Sequence, residues 1–220
     1  FYNKKELRIC IDTKLIDWVL SLGFKPLLIS DLKTLNFFLR QRSLRINGII
    51  ISGGNDINKN SLRYKVEKRL TNISKKKKIP LLGICHGLQF INYVEGGSLK
   101  KINNHVGTVH KIKSKYRYPS RVNSFHEYGI KKLGKNFNIV AYSNDNQIEA
   151  IKHKKYNWLG WMWHPERDKK FNSNLKKARN PPCFFVALEE NVAVPSSCFL
   201  KLSPVRRPPV QVELASRRPV

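Results

Sequence analysis

Acidic residues are scarce in this chain: 15 Asp and Glu stand against 42 Lys and Arg, a formal net charge of +27 over 220 residues. A surface this basic draws phosphates without selectivity, so charge alone does not separate an enzyme on a phosphorylated substrate from a polyanion binder. Cysteine is sparse too. Cys10, Cys85, Cys183 and Cys198 form no C-x-x-C pair, which argues against a zinc ribbon or a secreted disulfide framework. No apolar stretch reaches the roughly eighteen residues of a membrane-spanning helix, and no basic-then-apolar leader opens the sequence. Neither membrane insertion nor secretion is expected, and a cytoplasmic location is the default. His105 and His110 lack neighbouring cysteines and the usual ligand spacing, so no metal and no cofactor is expected. With 41% hydrophobic residues the chain can bury the core of one α/β domain, and no second catalytic domain fits.

Against that background, Gly83-Ile84-Cys85-His86-Gly87 carries the most information. Lys78 to Leu82 ahead of it suits a short buried strand, and Leu88, Phe90, Ile91 and Val94 behind it recur at near-helical spacing. A residue wedged between strand and helix takes a strained backbone, tolerable where residues two before and two after have no side chain. Gly83 and Gly87 meet that need, and the helix N-terminus would stabilise a thiolate. The competing reading is an inert buried cysteine flanked by turn glycines.

Trp161-Met162-Trp163-His164-Pro165-Glu166 weighs against inertness. On an extended segment His164 and Glu166 project to one face, placing an imidazole beside a carboxylate able to fix its tautomer. Pro165 suits the end of a strand.

The sequence resembles the class I glutamine amidotransferases, in the γ-glutamyl-γ-aminobutyrate hydrolase-like (peptidase C26) branch. Four ordered blocks carry the resemblance: Ile50 to Ile57; Gly83 to Gln89 with Asn92 and Gly96 to Leu99; Val122 to His126; and Ile148 to Ala150 leading to Gly160 and His164 to Glu166. It implies hydrolysis of a γ-glutamyl amide through a glutamyl thioester, with Cys85 as nucleophile, His164 as base and acid, and Glu166 as orienter. It further implies an oxyanion hole from the backbone at Gly54 and His86, and substrate contacts from Gly53, Gln89, Ser124, Phe125 and His126. His86 stands where Arg or Leu is more familiar, and His126-Glu127-Tyr128 replaces a His-His-Gln run. Both departures suit a leaving group larger than ammonia, and the wording is similar to members that include γ-glutamyl-CDP-amidate hydrolase.

The expected partner is therefore a small γ-glutamyl substrate, with room for a phosphate. A synthetase receiving ammonia is the alternative, and an inactive fragment or polyanion binder is a third. Lys75 to Lys78, and the basic residues from Lys111 to Arg121 interleaved with Tyr116 and Tyr118, resemble a nucleic-acid patch. They are read instead as a solvated face of a Lys-rich body, and nucleic acid is not an expected partner.

Strands alternating with helices imply a doubly wound, mostly parallel, flavodoxin-like α/β sheet with its site at the strand C-termini. Helices are expected over Thr13–Gly23, from Asp31 to near Ser43 and over Ser61–Lys77, with strands at Phe24–Ile29, Gly48–Ser52, Asn138–Tyr142, Gln147–Ile151 and Trp158–Trp163. The resemblance calls for a strand before the first helix, and the sheet is expected to lack it. Residues 1–178 are assigned to the truncated hydrolase domain. Residues 179–220 carry seven of the eleven prolines and only one lysine; this segment is expected to be disordered or unrelated in origin, and its removal to cost little.

Overall fold

The computed structural model describes residues 7–168, 183–187 and 189–192. Among them are thirteen strands and four α-helices, which alternate as far as β5: β1 (Leu7–Cys10), α1 (Thr13–Ser21), β2 (Lys25–Ile29), α2 (Leu32–Arg40), β3 (Ile46–Ile51), α3 (Leu62–Lys77), β4 (Leu81–Ile84), α4 (His86–Val94), β5 (Ser98–Lys101), β6 (Val106–Ser114), β7 (Arg121–Phe125), β8 (Tyr128–Lys132), β9 (Phe137–Ser143), β10 (Ile148–His153), β11 (Trp158–Trp161), β12 (Cys183–Ala187) and β13 (Glu189–Val192).

Helix starts follow from local chemistry. Asp12, Asp31 and Ser61 each turn a side-chain oxygen onto orphan N–H groups of α1, α2 and α3. Asp31 accepts from the N–H of Lys33 at 2.7 Å and of Thr34 at 2.9 Å, and from the Ser30 and Thr34 hydroxyls. α3 ends in Lys75, Lys76 and Lys77, cations over its negative pole, and Lys78 closes it at φ 55°. Part of the lysine run is thus a helix terminus. Lys75 also pairs with Glu95 and lies 5.2 Å over the Trp158 ring.

Nine strands form the main sheet in the order β2-β12-β3-β4-β11-β10-β9-β6-β7. The half from β2 to β11 is parallel and the half from β10 to β7 antiparallel. Period-two alternation sends Ile49 and Ile51 of β3 toward a core built with Leu35, Val66, Leu70, Leu88 and Ile91 from α2, α3 and α4. Ile50 points the other way, to Leu15, Trp18 and Val19 of α1. Helices therefore cover both faces of the parallel half, as expected for a doubly wound fold.

At one end the main sheet lacks the strand ahead of α1, as expected; the other end differs from expectation. A strand does precede α1, but β1 pairs with β13 outside the main sheet. The place between β2 and β3 is taken by β12, parallel to both along all five of its residues. Cys183–Ala187 and Glu189–Val192 thus belong to sheets, although they lie in the segment expected to stand outside the domain. The reason is local: Cys183 to Ala187 is a proline-free apolar run between prolines, able to donate on both sides in a central strand. The 178/179 boundary itself lies outside the described residues.

Candidate active site

Cys85 sits between β4 and α4 with φ 49° and ψ −103°, a conformation L-residues rarely adopt. Close packing enforces it. A β-carbon on Gly87 would stand 2.1 Å from the Ile51 carbonyl oxygen, and one on Gly83 would stand 2.5 Å from the Gly87 carbonyl. The Cys85 N–H donates to the Trp161 carbonyl at 2.7 Å, tying the turn to β11. Burial pushes the Cys85 thiol up to about 12; the His86 N–H, donating to the sulfur, opposes this, and the Glu166 charge adds to it.

β11 ends at Trp161, and His164 caps a 3₁₀ turn over Pro165–Arg167 rather than continuing a strand. The turn, not strand alternation, brings Glu166 back to the imidazole, and His164 Nδ1 meets Glu166 Oε1 at 2.6 Å with both side chains buried. Asn123 on β7 fixes the backbone of His164 from both sides, its Oδ1 accepting the His164 N–H at 2.9 Å and its Nδ2 donating to the His164 carbonyl at 2.7 Å. Phe125, two residues on and on the same face of β7, presents its ring to that of His164 at 5.8 Å.

A cleft of about 190 Å³ at the C-terminal ends of the parallel strands is lined by Gly53, Gly54, Cys85, Phe125, His164 and Glu166, together with Cys10 and Arg167. The three residues expected to be catalytic therefore share one cavity. The other expected residues lie around it. The His86 side chain is buried behind the elbow, and Gln89 is buried on α4, donating to the Tyr128 carbonyl at 3.0 Å. Ser124 and His126 are buried outside the cleft lining, Ser124 donating to the His105 carbonyl.

Behind the glycine loop runs a polar chain not anticipated from the sequence. Arg63 and Glu67 on α3 pair at 2.6 Å, Glu67 contacts His86 Nε2 at 3.1 and 3.2 Å, and Arg63 Nη2 donates to the carbonyls of Ser52 and Gly53 at 2.8 and 3.2 Å. Burial opposes ionisation of Glu67, yet the His86 and Arg63 charges hold its carboxyl below the ordinary range. An Arg and a Glu four apart, each interrupting the buried stripe of Val66, Leu70 and Ile73, were the available signal.

The chain is similar to known proteins in sequence and fold. Residues 19–175 match the family described as Glutamine amidotransferase class-I. Gamma-glutamyl-CDP-amidate hydrolase of Campylobacter jejuni is 36% identical over 179 residues, covering 78% of this chain and 86% of that protein. One of the subunits of the glutamine-hydrolysing GMP synthase of Methanocaldococcus jannaschii is 33% identical over 129 residues, 55% of this chain and 65% of that one. In three dimensions, a crystal structure from Thermoplasma acidophilum, assigned to the same kind of GMP synthase component, superposes with a TM-score of 0.57 at 22% identity, over 70% of this chain and 78% of that one. That last likeness speaks to the fold.

Proposed function

The chain belongs to the class-I glutamine amidotransferase family, and from that premise we propose that it is a cysteine-dependent γ-glutamyl hydrolase working through Cys85, His164 and Glu166. The observation that carries this reading is the strained Cys85 in one cleft with an imidazole whose Nδ1 is held by a carboxylate. The thiol is protonated at rest, so His164 takes its proton as sulfur attacks the γ-carbonyl carbon. The N–H groups of Gly54 and His86 receive the developing oxyanion, a contribution worth about 100- to 1000-fold per donor. His164⁺ then gives that proton to the leaving nitrogen as the C–N bond breaks. Water, deprotonated by His164, opens the thioester, releasing glutamate and restoring the thiol.

For the leaving group we propose a phosphate-bearing amine, as the name of the Campylobacter jejuni relative suggests and as a net charge of +27 would favour. A second reading, glutaminase partner to a cytoplasmic synthetase, draws on the likeness to the GMP synthase component of Methanocaldococcus jannaschii. Glutamate release from γ-glutamyl-CDP-amidate and from glutamine, with and without hydroxylamine to trap the thioester, separates them. Cys85→Ala and His164→Ala should each lose about 10⁴-fold or more, and Glu166→Gln less. Turnover that survives Cys85→Ala would end this reading.

A further inference from the structure

Away from the catalytic cleft, three strands deliver metal-binding side chains to one buried point. His105 precedes β6, His126 follows β7, and Glu149 lies on β10; one ligand atom from each falls within 4.8 Å of the others. All three are buried, Glu149 completely.

The hydrogen bonds on the outer side of each ring decide what faces inward. His105 Nε2 lies 2.9 Å from Asp145 Oδ2, and His126 Nδ1 lies 3.1 Å from the Tyr128 carbonyl. Both partners are acceptors, so each of those nitrogens carries the proton. His105 Nδ1 and His126 Nε2 are then left as lone pairs 3.3 Å apart, each 3.6 Å from Glu149 Oε1. By strict geometry neither Glu149 oxygen accepts a hydrogen bond, and His110 Nε2 lies buried 3.1 Å from Oε1 but off-line. Burial opposes ionisation of Glu149, yet the nearby His110 and His126 rings hold its carboxyl below the ordinary range. Lone pairs and a carboxylate charge converge where water is excluded, an arrangement that repels itself unless a metal ion or a proton shared by the rings lies among them.

From this geometry we propose a divalent-cation site of the zinc class, held by His105 Nδ1, His126 Nε2 and Glu149, with His110 Nε2 as the nearest further donor. Tetrahedral zinc with bonds of roughly 2.0–2.1 Å places its ligand atoms about 3.3–3.4 Å apart, close to the spacings found. Asp145 and the Tyr128 carbonyl supply the outer partners that fix imidazole tautomers at such sites. A neutral imidazole pair and two carboxylates balance the charge of a dication. The ion would staple β6, β7 and β10 together behind the wall that presents Asn123 and Phe125 to His164. It takes no part in the thioester chemistry.

Untagged protein of this sequence, loaded with Zn²⁺ and desalted, should retain about one equivalent per chain by elemental analysis and lose several degrees of thermal midpoint on chelation. Glu149→Gln and His126→Gln should cut retention at least tenfold. Co²⁺ loading of the unmodified protein should give the visible absorption of a tetrahedral site, a readout that needs no variant to fold. Absence of stoichiometric metal, with long-range ¹H–¹⁵N spectra showing one ring as an imidazolium, would overturn the proposal in favour of a shared proton. Equal retention by folded Glu149→Gln and the parent would overturn it as well.

Discussion

Gly53 and His164 are fitted to one another: a β-carbon on Gly53 would stand 2.5 Å from His164 Cε1 and 3.3 Å from Nε2. The imidazole stays where Glu166 and the Asn123-braced backbone hold it because residue 53 has no side chain. Gly53→Ala must therefore displace the ring or the loop. A displacement of about 1 Å can cost on the order of 100-fold in rate, so a loss of that size in kcat is expected with the fold retained. Unchanged turnover at unchanged circular dichroism would show that the ring position is not limiting.

Arg63, Glu67 and His86 form a buried unit whose far end grips the carbonyls of the glycine loop. Removing one member of a buried ion pair costs about 3–5 kcal/mol, because the other is left without compensation. Glu67→Met should fall in that range by urea unfolding. The Arg63→Met, Glu67→Met double variant should cost less than the sum of the singles, reflecting their coupling. Strict additivity would mean the pair is two independent side chains.

The Cys85 thiol, raised to about 12 from an ordinary value of 9.0, predicts how the free enzyme reacts with an alkylating agent. Thiolate is the reactive species, so modification of the Cys85 peptide should rise about tenfold per pH unit from 8 to 10 without levelling. A plateau near neutrality would instead reveal a preformed thiolate–imidazolium pair. The raised value also sets a sign for stability. A thiol that holds its proton more tightly when folded contributes fully below about 9, and that contribution is lost as the pH climbs toward about 12.

Legibility in the sequence followed the range of the forces involved. The elbow was readable because the residues it constrains lie within five positions. Only the 2.5 Å approach of Gly83 to Gly87 is local, however; the 2.1 Å approach that requires Gly87 comes from the distant Ile51 carbonyl. The parallel half was readable from apolar runs such as Ile49 to Ile51, and helix starts from Asp12, Asp31 and Ser61. Glu166 reaches His164 as expected, but through a 3₁₀ turn started by Pro165, where strand periodicity does not apply. What stayed hidden depends on contacts between distant residues. Glu67 meets His86 across 19 positions, and His105 meets Asp145 across 40. No local spacing encodes either.

The last expectation concerns Cys183–Ala187, an apolar run in a proline-rich segment that looks dispensable from composition alone. As β12 it pairs with Lys25–Ile29 on one side and with Ile46–Ile51 on the other, so β2 reaches the rest of the main sheet only through it. Without β12, β3 gains an open edge, and Ile49, Ile50 and Ile51 lose the neighbour that shields their backbone. A chain ending after Pro182 should therefore unfold at a markedly lower midpoint than one ending after Val192, and aggregate on warming. The comparison holds β12 and β13 as the only difference, and β13 pairs only with β1 outside the main sheet. Replacing Phe185 by Pro in the full chain provides a second test, since it removes one backbone donor and fixes φ in a central strand. Equal midpoints for both truncations, with the proline variant unaffected, would show that the parallel sheet holds without β12.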